Sequence, residues 1–194
     1  MLSLDQLILI NHAESGTIDL DAHDYYELMS NQGSAKFTYE LADLLISRGY
    51  ESDYREAARL LKSVADEMPK AAARLGRLYM DGRGVPEKDY KTAFNWLKKA
   101  KEAKNPMGMT YFGILHQDGL YKDPKLTKTE VFSLFEAAAK QGNLPEATYR
   151  VGLSHITGYG TKMDMGQGVQ YIKLAAQNRN LRALYQLAQL NSEG

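Results

Sequence analysis

The chain predicts an all-α solenoid of antiparallel helix pairs. Three observations carry that prediction. A short pattern of apolar and small residues returns at a fixed period. Within each copy the apolar positions step by three and four. Glycines and prolines punctuate the chain between those stretches. The bulk properties suit a folded domain. The 194 residues are 44% hydrophobic and 25% charged, enough for one core or a small array of repeats.

The clearest copy is Ala71 to Lys104, AAARLGRLYMDGRGVPEKDYKTAFNWLKKAKEAK. Ala71, Leu75, Leu78 and Tyr79 mark one face of a first helix over Ala71–Asp81. Gly82 and Gly84 suit the positive φ of a helix end and turn, and Pro86 stops the helix from resuming at once. A second helix follows over Asp89–Ala103, with Ala93, Leu97 or Trp96, and Ala100 turned inward. Its lysine-rich end complements the helix dipole.

The same order returns downstream as Ala147, Val151-Gly152, His155, Gly158, Gly160, Tyr171 and Ala175-Ala176. A looser copy lies between, with Phe112-Gly113, His116, Gly119, Leu134, Ala138-Ala139 and Gly142, and an insertion near Tyr121–Lys128. Upstream, Leu41-Ala42, Leu45, Ala57, Leu60 and Val64-Ala65 fit with a connection shorter by about two residues. Ala183, Leu187-Ala188, Asn191 and Gly194 begin a fifth copy, and Tyr25, Leu28, Met29 and Gly33 occupy second-helix positions of a worn half-copy. The period is roughly 34–39 residues, as in helix-pair solenoids. A glycine inside the first helix recurs at Gly76, Gly113 and Gly152, with alanine at Ala42 and Ala188. Glycine weakens a helix by about 1 kcal/mol against alanine, so its recurrence predicts that another helix packs very close there.

These residues spell A-x3-L-G-x2-Y-x2-G-x-G-V…A-x2-W-x2-K-A in Ala71, Leu75, Gly76, Tyr79, Gly82, Gly84, Val85, Ala93, Trp96, Lys99 and Ala100. The pattern is similar to the Sel-1-like repeat, a cousin of the tetratricopeptide repeat. The resemblance covers about residues 35–194. His116 and His155 replace its tyrosine, and Leu134 and Tyr171 its tryptophan. It implies a right-handed α/α superhelix of about four repeats plus caps. The expected division is an N-terminal helical cap over 1–34, repeats over 35–70, 71–107, 108–146 and 147–182, and a capping helix or truncated fifth repeat over 183–194. In such proteins the first helices line a concave face where partners bind, and catalysis is not the family's habit.

On that face the expected outward positions lie two before and one after the recurring small residue. They are Glu40 and Asp43, Arg74 and Arg77, Tyr111 and Ile114, Arg150 and Leu153, Gln186 and Gln189. The candidate partner-binding residues are Arg74, Arg77, Tyr111, Ile114, Arg150 and Leu153, because arginine and tyrosine beside apolar side chains is the composition of interface hot spots.

Other classes are excluded or disfavoured. Lysine plus arginine and aspartate plus glutamate both number 24, which argues against nucleic acid as partner. No cysteine is present, so disulfides and thiol chemistry are excluded. Met1–Ile10 is interrupted by Asp5 and Gln6 and too short for a span, so a cytoplasmic chain without membrane contact is expected. His116 and His155 hold equivalent positions, and their side chains are expected near one another, but too few further ligands accompany them for a metal. His23 with Asp19, Asp21 and Asp24 reads as a solvated helix start. The glycine-rich turns lack phosphate-loop spacing, and no nucleophile-elbow signature exists. The expectation is a non-enzymatic adaptor without metal or cofactor, holding another protein such as a toxin, enzyme or secretion or signalling component. The alternative is a bacterial immunity protein that neutralises a toxin by direct binding. The open C-terminal end is a candidate surface for self-association.

Overall fold

The computed structural model describes residues 22–142 and 144–192, and these form ten helices and no strand. Most of the expected N-terminal cap, with His12, Asp19 and Asp21, lies outside the described residues. The helices are α1 (Ala22–Asn31), α2 (Ala35–Arg48), α3 (Glu51–Val64), α4 (Pro69–Asp81), α5 (Tyr90–Glu102), α6 (Pro106–Gln117), α7 (Lys128–Gly142), α8 (Pro145–Thr157), α9 (Met165–Gln177) and α10 (Leu181–Ser192). Four pairs, α2–α3, α4–α5, α6–α7 and α8–α9, make the repeat array. The helices α1 and α10 flank it. Each helix packs on its neighbours in the chain, and α4 also packs on α6. This is the nearest-neighbour logic of a solenoid.

Local chemistry sets the helix ends. Asp89 caps α5, its carboxylate accepting from the Lys91 and Thr92 amides at 3.0 Å each. Asp164 and Asn105 cap α9 and α6 in the same way. Thr127 and Glu130 form a reciprocal capping box before α7. Proline opens α4, α6 and α8, where its missing N–H costs nothing. The first connection is two residues, 49–50, against eight, 82–89, in the second pair. The core spacing differs by only two, from Ala42 to Leu61 and from Gly76 to Leu97. The rest of the difference is helix, because α3 starts nearly one turn earlier than α5.

The recurring glycine behaves as its pattern predicts. A Cβ on Gly76 would lie 2.6 Å from Leu97 Cγ, and one on Gly113 2.6 Å from Phe135 Cε1. One on Gly152 would lie 2.9 Å from the Gly168 carbonyl oxygen. Leu97, Phe135 and Ile172 are fully buried against these positions, each contributing about 1.5–3 kcal/mol. Leu97 is therefore the inward residue of α5. Trp96 is half-buried and packs against the core cluster that α2, α3 and α4 build.

Candidate partner-binding site

The first helices α4, α6 and α8 and the start of α10 share one face. On it the outward positions meet one another across repeat boundaries. The residue one after the small position in one repeat reaches the residue two before it in the next. Asp43 pairs with Arg74 in this way. The Arg77 guanidinium lies over the Tyr111 ring, 4.3 Å from its centroid, a cation–π contact. Arg150 donates to both Asp118 oxygens at 2.6 and 3.0 Å, to Gln117 Oε1 at 2.9 Å and to Glu146 at 3.2 Å. Glu146 also accepts from Arg182 at 3.1 Å and from Asn180 at 3.0 Å. A polar ladder thus ties each repeat to the next.

That geometry corrects the outward reading of two residues. Arg150 is 3% exposed and is a clamp between repeats. Burial alone lowers its pKa, but Asp118 and Glu146 outweigh burial and leave it raised. Ile114 is 4% exposed, because α6 is packed on more than one side and turns that position inward. Arg74 is half-buried beside Asp43, so the expected acidic pair and the arginines are not separate patches. Leu153 is half-buried and lies outside the hollow that the others line.

The residues the structure does bring together are Arg77, Tyr111 and Ile114. They line a hollow of about 390 Å³. Met80, Leu144, Pro145 and Leu181 supply apolar wall, and Asp81, Glu146, Arg179 and Arg182 supply charge. Arg77 Nε donates to Asp81 at 2.5 Å. A second hollow of about 450 Å³ adjoins it, sharing Leu181 and Arg182 and adding Tyr149, Tyr185 and Gln186. Sequence reasoning missed Glu146, Arg179 and Arg182. Glu146 and Arg182 sit at helix starts and Arg179 in the turn before α10, all outside the two positions counted from the small residue. The one-repeat spacing from Glu146 to Arg182 was the signal available.

The histidines find separate partners. His116 Nδ1 lies 3.2 Å from the Tyr159 hydroxyl. The His155 ring stacks on Tyr171 at 5.8 Å and meets Phe132 edge-on at 5.3 Å. Among the described residues neither joins a group of three metal-ligating side chains. His23, Asp24 and Glu27 do come within 4.8 Å of one another at the start of α1, where acidic groups suit the helix dipole. No helix among the described residues is long and apolar enough to cross a membrane.

Burial chiefly pushes the Tyr111 hydroxyl above its ordinary pKa, with Arg77 opposing. Burial likewise raises Tyr39, Tyr149 and Tyr159. A raised folded-state pKa favours the neutral phenol. The stability it represents is complete below the unfolded value of about 10 and is lost as pH rises through the folded value. The melting temperature is therefore expected to fall above about pH 10, and Tyr111→Phe to shallow that fall. Identical alkaline slopes for the two proteins would refute the assignment.

A family model described as the Sel1 repeat matches residues 35–67, 69–105, 132–143 and 145–180. An uncharacterized protein of Neisseria meningitidis serogroup B is 34% identical over 132 residues, covering 68% of this chain and 26% of that protein. The chain thus spans about a quarter of that relative's length. Among solved structures, a protective antigen present in uropathogenic Escherichia coli strains, displaying an SLR fold, superposes with a TM-score of 0.66 at 27% identity. That match covers 89% of this chain and 36% of the antigen. A Sel1 repeat protein from Oxalobacter formigenes superposes with a TM-score of 0.60 at 29% identity, covering 77% of this chain and 60% of that one.

Proposed function

The chain belongs to the Sel1 repeat family, and from that membership we propose that it is an adaptor that holds a partner polypeptide in the hollow on its first-helix face. Proteins of this family generally mediate protein–protein interaction. The observation that carries the reading to this site is the hollow itself. It spans consecutive repeats, has an apolar floor at Met80 and Ile114, and has the stacked Arg77–Tyr111 pair at its side. A buried apolar centre with aromatic and arginine anchors is the form that binding energy takes at protein interfaces.

The test starts from a partner captured on the tagged protein and quantified by calorimetry. Tyr111→Ala and Arg77→Ala are each expected to weaken binding by about 1–2 kcal/mol when measured well below the melting temperature, which the loss of their inter-repeat contact lowers. If both variants bind the captured partner as the wild type does, the hollow is not the binding site.

A further inference from the structure

We propose that the hollow selects an acidic side chain flanked by aliphatic residues, carried within an extended segment of the partner. This inference rests on the peptide-holding reading above and names the class of peptide held. Three guanidinium groups line the hollow, from Arg77, Arg179 and Arg182, against two carboxylates, Asp81 and Glu146. The carboxylates are already engaged. Glu146 accepts from Arg150, Arg182 and Asn180, and Asp81 accepts from Arg77 Nε. Arg77 hydrogen-bonds Asp81 through Nε, stacks on Tyr111 and lines the hollow. Arg179 makes no ion pair among the described residues and is exposed. The one guanidinium of the lining without an ion pair among the described residues is thus Arg179, and its complement is an anionic acceptor such as a carboxylate.

The rest of the lining narrows the class. Met80, Ile114, Leu144, Pro145 and Leu181 offer contact to aliphatic side chains and nothing to a highly hydrated anion. Leu181 is 80% exposed, an apolar surface at the hollow's mouth for a neighbouring aliphatic residue to cover. The adjoining hollow shares Leu181 and Arg182 and continues past Tyr149 and Tyr185. An occupant thus has room to run on beyond the arginines, which favours a side-chain carboxylate within a segment over a chain terminus.

Arg179 supplies a clean variant. Its φ is 62°, in the left-handed region that glycine takes without strain. Arg179→Gly removes the guanidinium and leaves the backbone at ease, so the melting temperature is expected to hold or rise slightly. The probe is a displayed library of short random peptides selected on the full chain. Selected sequences are then synthesised and measured by fluorescence anisotropy at two salt concentrations. Selected peptides are expected to carry Asp or Glu next to Leu, Ile or Val. Changing that acid to its amide, or Arg179 to Gly, is expected to weaken binding roughly tenfold, and the loss to shrink at high salt.

Enrichment without an acidic residue would overturn the inference, as would equal affinity for acid and amide. Tighter binding of a phosphoserine than of an acidic version of a selected synthetic peptide, or binding only through a free C-terminus, would also overturn it. In each of those cases binding that is still lost in Tyr111→Ala leaves the peptide-holding reading standing. If Tyr111→Ala and Arg77→Ala leave every selected peptide bound as before, that reading falls together with the inference.

Discussion

Replacing Arg150 with methionine is expected to destabilise the array by about 3 kcal/mol or more. Its guanidinium is buried between α6 and α8 and bonds to Asp118, Gln117 and Glu146. Methionine fills similar space but leaves those acceptors facing each other across a repeat boundary. The loss falls toward the lower end of what breaking a buried pair costs. Asp118 is partly exposed and regains water, while Glu146 keeps Arg182 and Asn180. In a chain of this length the melting temperature is expected to drop by roughly 10 °C. Adding Asp118→Asn to the same chain is expected to recover part of the loss, because a neutral amide tolerates the missing cation. Calorimetric melting of the three proteins checks both expectations. A loss below about 1 kcal/mol, typical of a surface pair, would mean that Arg150 does not clamp the third repeat to the fourth.

Gly84→Val is expected to be as damaging, for a reason of backbone geometry. Gly84 has a φ of 66°, where a β-branched residue is strained by about 1–3 kcal/mol. A Cβ there would also overlap the Tyr54 carbonyl and come within 2.7 Å of the Arg55 amide nitrogen. Backbone cannot step aside as a side-chain tip does, so the total expected is about 3 kcal/mol or more. Gly119→Val separates the two contributions. Gly119 has a φ of 70°, yet its nearest neighbour for an added Cβ is Lys122 Cε at 3.7 Å. It suffers the conformational strain alone and is expected to lose the smaller amount. Equal losses in urea unfolding would show that the loop of the second pair does not press on α3.

The helix pairs were legible in the sequence because their determinants are local. Apolar steps of three and four, the turn glycines and the small residue at Gly76, Gly113 and Gly152 each act within one repeat or against its own second helix. The candidate site was legible only in part. Arg77 and Tyr111 were named and do meet, but as each other's partners across a boundary. The offset from Asp43 to Arg74 and from Arg77 to Tyr111 is a product of how one pair stacks on the next. No spacing inside a single repeat encodes it. Ile114 and Arg150 were misread for the same cause, since positions that are outward in one isolated pair are covered once the neighbour is in place. Glu146 was missed because an acid at a helix start is expected for local reasons, and Arg179 and Arg182 because they lie in the turn and first residues before the fifth small position. The Thr127–Glu130 capping box is legible as T-x-x-E at the end of the insertion, where it starts α7.

The loop glycines have a consequence for how such an array lengthens and diverges. Gly84 rests on backbone near the start of α3, and Gly160 rests in the same way on the Lys128 carbonyl at the start of α7. In the third pair Tyr121 takes the place of that glycine and lies 4.8 Å from Phe94, on the preceding second helix. The second, third and fourth units therefore each carry a plug, the loop, that seats on the second helix of the unit before. Where glycine meets a bare carbonyl the join is main chain against main chain, indifferent to the side chains on either side. Units copied end to end fit without a new interface being invented, and their surfaces are free to drift apart afterwards. The drift is blocked at the plug itself, where a side chain is accepted only when, like Tyr121, it brings a new contact in place of the old one.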